Sequence, residues 1–153
     1  MAIERYDELS RQWSPITSAT TTDKGAFEAA WKADRPGPAR VRARVQRTGA
    51  RTSAAAPEVN ITLYSAQKAT WYGPGFYGNE TACGLTMSKT LLGVAHKTLR
   101  CGTKVEFLYR GRTLTVPVVD RGPYANHAYW DLTSAAAERL GFSGAETIGF
   151  LRR

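Results

Sequence analysis

The stretch VEFLYRGRTLTVPVV, residues 105–119, is the sequence feature that most restricts the fold. Apolar and polar residues alternate on both sides of Arg110-Gly111, and a period of two is typical of β-strands. A two-residue connection that contains glycine predicts a tight hairpin. Pro117 cannot donate a hydrogen bond to a neighbouring strand, which places that end of the second strand at an edge or a crossover. We therefore expect short β-strands to build this part of the chain.

The N-terminal part also reads as β-structure. Alternating residues predict strands over 26–31, 39–45 and 59–65, and RPGP at 35–38 predicts a turn between the first two. The small residues of 48–57 predict a loop. One apolar face on such a sheet requires a second layer, so residues 1–67 are predicted to form a partial β-sandwich.

Residues 68–153 have a different texture, rich in glycine and aromatic residues. TSAAAERLGF, residues 133–142, predicts one short helix with Thr133 as its N-cap and Gly141 at its end. TIGFLR, residues 147–152, predicts a closing strand. The fold class is therefore all-β with one short helix, and this second part is predicted to be a compact β-barrel.

Composition and charge limit the function classes. Of 153 residues 42% are hydrophobic, which supports a packed core, and the net charge is +8 without a dense basic cluster. This charge favours general attraction to a polyanion such as a cell wall, or no polyanionic partner at all, over a nucleic-acid interface. No apolar run approaches the about 18 residues of a membrane span. The segment MAIERYDELSRQW lacks the apolar core of a secretory signal, which taken literally places the protein in the cytoplasm.

Two cysteines, Cys83 and Cys101, are 18 positions apart. They could form a disulfide in an oxidising compartment or remain two unpaired buried thiols. Together with His96 and His127 they lack the close spacing of metal-ligand pairs, so neither a metal nor another cofactor is predicted.

VVDRGPY, residues 118–124, contains the first candidate catalytic residue. An apolar strand ends at Asp120, and the glycine–proline pair that follows forces a bend, so the carboxyl lies at a partly dry rim that suits a general acid. The alternative is an aspartate that caps the turn through its own backbone. Arg121 is a candidate for binding a substrate anion. Asp131 and His96 are further candidates, although a helix-stabilising acid and a hydrogen-bonded core histidine are the simpler interpretations.

Aromatic side chains cluster in the glycine- and proline-rich segments around these groups: Trp71, Tyr72, Phe76, Tyr77, Tyr124, Tyr129 and Trp130. Aromatic residues of a small β domain usually belong to the core. In loops, however, burial is difficult, and an aromatic face beside a carboxylate suits recognition of a sugar ring. We therefore predict Tyr72, Tyr77 and Tyr124 as substrate-binding residues.

Four separated blocks, ATWYGPGFYGNETACG, GVAHKTLRCGTKV, VPVVDRGPY and WDLTSAAAERLGF, resemble the RlpA-like double-psi β-barrel family over residues 69–153. The resemblance implies a six-stranded double-psi β-barrel. It also implies lytic transglycosylase action on peptidoglycan glycan strands from which the peptides have been removed. The paired cysteines are similar to those of the actinobacterial branch, and the N-terminal strands resemble an Ig-like or prealbumin-like sandwich.

The family's motifs assign roles to particular residues. By resemblance, the essential aspartate falls on Asp120 and the histidine on His96. An aspartate used by related expansins and glycoside hydrolases falls on Asp131. The catalytic glutamate of lytic members falls on Leu85, which cannot transfer a proton. A route with one acid remains open, with Asp120 as general acid and base and Asp131 as an electrostatic stabiliser of the oxocarbenium-like state.

These considerations leave two main readings. One is a lytic transglycosylase, and the other is a non-catalytic, expansin-like module that binds glycan and loosens the wall. A structural wall module is a weaker third possibility. The expected partner is peptidoglycan, the expected state a monomer, and the expected location extracellular or wall-associated. That location requires a start site upstream of Met1, with further strands and a signal peptide, and the resemblance then implies a Cys83–Cys101 disulfide.

Overall fold

The computed structural model describes residues 1–45, 56–125 and 127–153. It contains two compact units, Met1–Leu63 and Tyr64–Arg153. The predicted loop over 48–57 lies mostly outside the described residues. Among those described, no helix is both long enough and apolar enough to cross a membrane.

The first unit contains a four-stranded antiparallel sheet in the order β2-β1-β3-β4. Its strands are β1 (Ala2–Asp7), β2 (Gln12–Ser18), β3 (Gly37–Arg44) and β4 (Val59–Leu63). The strands predicted over 39–45 and 59–65 are present as β3 and β4. A β-sandwich in this unit stays a prediction.

The strand predicted over 26–31 is wrong, because these residues have no regular secondary structure. Their carbonyls bond locally or to side chains instead of to a neighbouring strand: Ala26 accepts from the Thr22 amide, and Ala30 from the Thr17 hydroxyl. The alternation in AFEAAW consists mainly of alanines, which offer little apolar surface for a sheet to bury. Strands β1 and β2 were not predicted, and in β2 the edge position tolerates Pro15.

The second unit is a closed six-stranded barrel in the order β10-β5-β9-β6-β8-β7, as predicted. The strands are β5 (Ser65–Tyr72), β6 (Val94–Ala95), β7 (Lys104–Tyr109), β8 (Arg112–Asp120), β9 (Trp130–Thr133) and β10 (Glu146–Arg152). Strand pairs β5–β9 and β6–β8 are parallel. The predicted hairpin is confirmed: Tyr109 pairs with Arg112 across Arg110 and Gly111, both with positive φ, which matches the right-handed twist of the strands.

The helix α1 (Ser134–Leu140) begins and ends as the sequence predicts. The Thr133 hydroxyl accepts a hydrogen bond from the Ala136 amide, and Gly141 ends the helix in the left-handed region. The helix buries three residues in the barrel core, Ala136, Ala137 and Leu140. The same core contains Phe107, Trp130, Leu132, Val94, Val105, Val116 and Val118. This packing fixes the start of α1, and therefore the end of β9, against the sheet.

Candidate active site

Two of the predicted catalytic residues, Asp120 and Asp131, lie on strands that flank the short strand β6. Ala95 of β6 is in register with Asp120 of β8 on one side and with Asp131 of β9 on the other. Neighbouring strands are about 4.8 Å apart, so the two backbones are separated by about 10 Å. The barrel topology thus brings together two carboxyl groups that are eleven positions apart in sequence (131 − 120).

A β-bulge sets the direction of Asp120. Val94 pairs with Val118 and Ala95 with Asp120, so Val119 is the extra residue. Its side chain packs where a Cβ on Gly93 would otherwise lie. Bulges commonly redirect a side chain next to a functional site.

The carboxylate of Asp120 accepts hydrogen bonds at both oxygens. Oδ1 accepts from the backbone amides of Ala82 and Arg121, each at 2.8 Å, and Oδ2 accepts from the Tyr72 hydroxyl at 3.2 Å. These donors come from the Ala82 loop, from the turn after β8 and from β5. Such an arrangement holds a carboxylate in one orientation and compensates its charge.

Asp131 is partly buried and has fewer hydrogen-bond partners than Asp120 among the described residues. Its Oδ1 accepts a hydrogen bond from the Thr70 hydroxyl at 2.7 Å, while among the described residues its Oδ2 has no hydrogen-bond partner and is not fully buried. Burial, together with the negative charge of Asp120, raises the pKa of Asp131, and the Thr70 bond opposes this effect. A carboxyl with a raised pKa and an accessible oxygen is suited to donate a proton.

Tyr72 links the two carboxyl groups electrostatically. Burial is the main cause that raises its pKa, and the charges of Asp120 and Asp131 add to it, so the phenol keeps its proton and acts as a donor. The exposed ring of Phe76 meets the Tyr72 ring edge-on, with 5.8 Å between centroids. Tyr72, predicted to bind sugar, also donates a hydrogen bond to Asp120.

His96, the third predicted catalytic residue, is directed elsewhere. Its ring is buried against Trp130 and Tyr129, with centroids 4.6 and 5.1 Å away. Trp130 belongs to the core and precedes Asp131 in β9, and successive residues of a strand face opposite sides. Among the described residues, neither ring nitrogen of His96 is hydrogen-bonded to Asp120 or Asp131.

The hydrogen bonds of His96 suit a structural role. Its Nδ1 accepts from the amides of Thr98 and Leu99, and its own amide donates to the Asp120 carbonyl oxygen at 3.2 Å. Burial and nearby cations lower the pKa of His96, which favours the neutral ring. The residue thus supports the strand end that carries Asp120.

The remaining predicted substrate-binding residues occupy different environments. The Tyr77 hydroxyl donates to Ser134 Oγ at 3.0 Å and is tied to the start of α1. The Arg121 guanidinium contacts the Asp120 carbonyl oxygen and Cys101 Sγ, at 3.5 and 3.6 Å. Tyr124 is 81% exposed, which leaves its ring available to a ligand.

The loop that contains the expected glutamate position is fastened by a disulfide. Cys83 and Cys101 are bonded, with 5.7 Å between their Cα atoms, so the disulfide interpretation is confirmed. Leu85, at the position of the glutamate of lytic members, is 43% exposed.

Three residues of the site were not predicted from sequence to have a functional role: Thr70, Ala82 and Phe76. Thr70 could have been found, because it lies two positions before Tyr72 and thus on the same face of β5. The role of Ala82 depends on its backbone amide and leaves no signal in the side-chain pattern. Among the described residues, no group of three or more histidine, cysteine or acidic side chains could hold a metal ion.

Comparison with known proteins identifies the family to which the barrel is related. A protein-family model described as lytic transglycolase matches residues 64–150. The chain belongs to the lytic transglycolase family. The matched residues include both aspartates, Asp120 and Asp131. They cover the whole barrel except the last two residues of β10.

Curated relatives of this family member carry a consistent name. The chain is 44% identical over 91 residues to the endolytic peptidoglycan transglycosylase RlpA of Campylobacter jejuni, covering 54% of this chain and 33% of that protein. It is 41% identical over 75 residues to a probable RlpA of Synechocystis, covering 48% and 23%. It is 44% identical over 84 residues to a probable RlpA of Aquifex aeolicus, covering 54% and 37%. The chain thus spans about a third or less of the length of these relatives.

One solved structure, the Streptomyces papain inhibitor, is also similar. It is 29% identical, with a TM-score of 0.43, and the match covers 57% of this chain and 94% of that protein.

Proposed function

We propose that the barrel cleaves the glycan strands of peptidoglycan by lytic transglycosylation, with Asp131 as the proton donor. The observation that supports this most strongly is the pair of unlike carboxyl groups: both oxygens of Asp120 accept hydrogen bonds, whereas one oxygen of Asp131 has no partner among the described residues. Two acids in different environments are the usual means by which one site combines a proton donor with a charged stabiliser. The names of the curated relatives supply the substrate class.

The hydrogen bonds favour an exchange of the two roles expected from sequence. Asp120 was expected to be the general acid, but both of its oxygens already accept bonds, which suits a fixed negative charge. Within the described part of the chain, one oxygen of Asp131 has no hydrogen-bond partner, and burial raises the pKa of this carboxyl.

The reaction then needs one acid. The Asp131 carboxyl protonates the glycosidic oxygen as the bond to the anomeric carbon breaks. The 6-hydroxyl of the same sugar attacks that carbon and forms a 1,6-anhydro ring, and its proton passes to the Asp131 carboxylate. Asp131 is protonated again, no water is consumed, and Leu85 need not transfer a proton. The charge of Asp120 stabilises the oxocarbenium-like transition state.

Aromatic side chains near this pair supply a surface for the sugar. Tyr72 and Phe76 meet edge-on beside Asp120, and Tyr124 is largely exposed shortly after it. We assign sugar contact to these three residues and an additional polar contact to Arg121. His96 and Tyr77 support the site through the backbone and α1. The proposal includes action at the cell wall, where this substrate is found, by a monomer.

Peptide-free peptidoglycan tests the proposal. Wild type, Asp131→Asn and Asp120→Asn are incubated with it, and soluble products are analysed for 1,6-anhydro-muramyl ends. Asp23→Asn is the matched control, because Asp23 is an exposed aspartate of the N-terminal unit. We expect anhydro products from wild type and the control, a loss of about 10²–10⁴-fold in Asp131→Asn, and a smaller loss in Asp120→Asn.

Leu85 favours a second candidate, a non-catalytic module that holds glycan. Its exposed apolar side chain stands in the loop where lytic members carry a carboxylate. Sedimentation of the protein with the same peptidoglycan, measured beside the product analysis, separates the two functions. Binding without anhydro products would refute the transglycosylase and leave the binding module.

A further inference from the structure

The loop of residues 81–85 is internally rigid. The Thr81 amide donates to the Leu85 carbonyl at 2.7 Å, and the Leu85 amide donates back to the Thr81 hydroxyl at 3.2 Å. Gly84 has φ +76°, a conformation that favours glycine at the turn. Because the loop is closed on itself, its tip can move as a unit, and its position over the barrel depends on contacts outside the loop.

Among the described residues, a hydrogen bond and a disulfide hold the tip of the 81–85 loop near β8, and Cys83 Sγ also lies 3.9 Å from the Val118 carbonyl oxygen. The Ala82 amide donates to Asp120 Oδ1 at 2.8 Å, and the next residue, Cys83, is bonded to Cys101. The residue after Cys101 is itself attached to β8, because the Gly102 amide donates to the Val118 carbonyl at 2.8 Å. The disulfide therefore connects the loop to the strand end that carries Asp120.

We propose that Cys83 and Cys101 are positioning residues, whose disulfide holds the Ala82 amide against Asp120, and that reduction of the bond lowers glycan cleavage. The inference concerns the redox dependence of the activity proposed above and rests on it. Ala82 is exposed, so without the covalent link its amide can exchange Asp120 for water. Asp120 then loses one of its three donors and the orientation that they impose.

The reductant is a dithiol, which can reach Cys101 because that residue is exposed. A thiolate of the dithiol attacks one sulfur of the disulfide, forms a mixed disulfide and releases the other cysteine as a thiol. The second thiol of the dithiol then attacks the mixed disulfide and releases the remaining cysteine. The dithiol is oxidised to a cyclic disulfide. Cys83 and Cys101 gain two electrons and two protons and become thiols, so the reaction is balanced and reversible.

The first experiment compares oxidised, dithiothreitol-reduced and reoxidised full-length protein. Thiols are counted by alkylation and mass spectrometry, and circular dichroism confirms the fold. We expect kcat on peptide-free peptidoglycan to fall about tenfold on reduction, with KM changed less than about twofold, and to recover on reoxidation. The Cys83→Ala/Cys101→Ala variant should have the kcat of the dithiothreitol-reduced protein, and addition of dithiothreitol should not change it. Unchanged kcat in folded, fully reduced protein would overturn the proposal.

Amide hydrogen exchange gives a second readout that does not depend on activity. We expect the Ala82 amide to exchange slowly when oxidised and rapidly when reduced, while the Leu132 amide in the barrel stays protected. Asp120→Ala, which removes the acceptor, should speed Ala82 exchange in oxidised protein. Equal Ala82 protection in both redox states contradicts the proposal. If no form releases anhydro products, the proposed function fails, and the Ala82 exchange rates still decide this inference.

A variant with the disulfide intact tests the Ala82 hydrogen bond without the unfolding that reduction could cause. Ala82→Pro removes the amide donor and also fixes the backbone at this position, and Ala82→Gly retains the donor as the control; circular dichroism checks that both variants fold. We expect the kcat of Ala82→Pro to fall about as far as that of reduced protein, with Ala82→Gly close to wild type. A fully active Ala82→Pro variant would show that the Ala82 amide does not position Asp120.

Discussion

Replacing Tyr72 by Phe removes one oxygen atom from the candidate site and leaves the aromatic ring in place. In the structure, that oxygen donates to Asp120 Oδ2 at 3.2 Å, while the ring meets Phe76. The variant therefore separates two roles. If Tyr72 acts through Asp120, activity falls. If Tyr72 only presents a ring to the sugar, Phe serves equally well.

The geometry sets the size of the effect. A hydrogen bond to a charged group contributes about 1.5–3 kcal/mol, but 3.2 Å is long for an O–H···O bond. We therefore expect about 1 kcal/mol of transition-state stabilisation to be lost, which is about fivefold in kcat. KM should change little, because the ring that contacts the sugar remains.

The assay is release of anhydro-muramyl products by wild type, Tyr72→Phe, Asp120→Asn and the double variant. Because the Tyr72 bond acts through Asp120, the effect of Tyr72→Phe should shrink in the Asp120→Asn background, with a coupling of about 1 kcal/mol. Thermal melting of each protein checks that the barrel is intact. A Tyr72→Phe enzyme with wild-type kcat, or equal losses in both backgrounds, would refute the reasoning.

Three further substitutions test the environment of the site. Burial raises the pKa of Asp131, so the folded chain binds more protons than the unfolded chain, and stability should fall as pH rises above the ordinary value of 3.8. Asp131→Asn should remove this contribution in denaturation curves between pH 3 and 7, and an unchanged pH dependence would contradict it. Thr70→Val removes the 2.7 Å bond that opposes the rise, so the alkaline limb of the pH–rate profile should move to higher pH; a shift to lower pH would exclude this role. Gly93→Ala places a methyl group against the Val119 side chain and should destabilise the barrel by about 1–3 kcal/mol, partly restored by Val119→Ala; failure of that rescue would assign the loss to another contact.

Much of the barrel could be predicted from sequence because its signals are local. Alternation on both sides of Arg110-Gly111 specifies the hairpin, and Thr133 and Gly141 specify the two ends of α1. The N-terminal unit was predicted less well. Alanine-rich alternation over 26–31 suggested a strand that is absent, because a pattern of small side chains does not provide the burial that stabilises pairing.

The candidate site was also predictable only in part. The motif around VVDRGPY indicated Asp120, and local pattern and family resemblance indicated Asp131 and His96. The sequence favoured Asp120 as the proton donor, whereas the hydrogen bonds of the structure favour Asp131. The partners of the two aspartates are distant in sequence, since Thr70 is 61 positions from Asp131 and Tyr72 is 48 from Asp120.

By itself, the sequence determined the hairpin, the closing strand and the helix caps, because periodicity, turn residues and capping act over a few neighbouring positions, and its separated motifs indicated the family. Only the tertiary structure decided that Asp120 is held by three donors, that burial raises the pKa of Asp131, and that the His96 ring packs against Trp130. Barrel closure and strand register bring distant groups together, and desolvation depends on everything that surrounds a side chain in space.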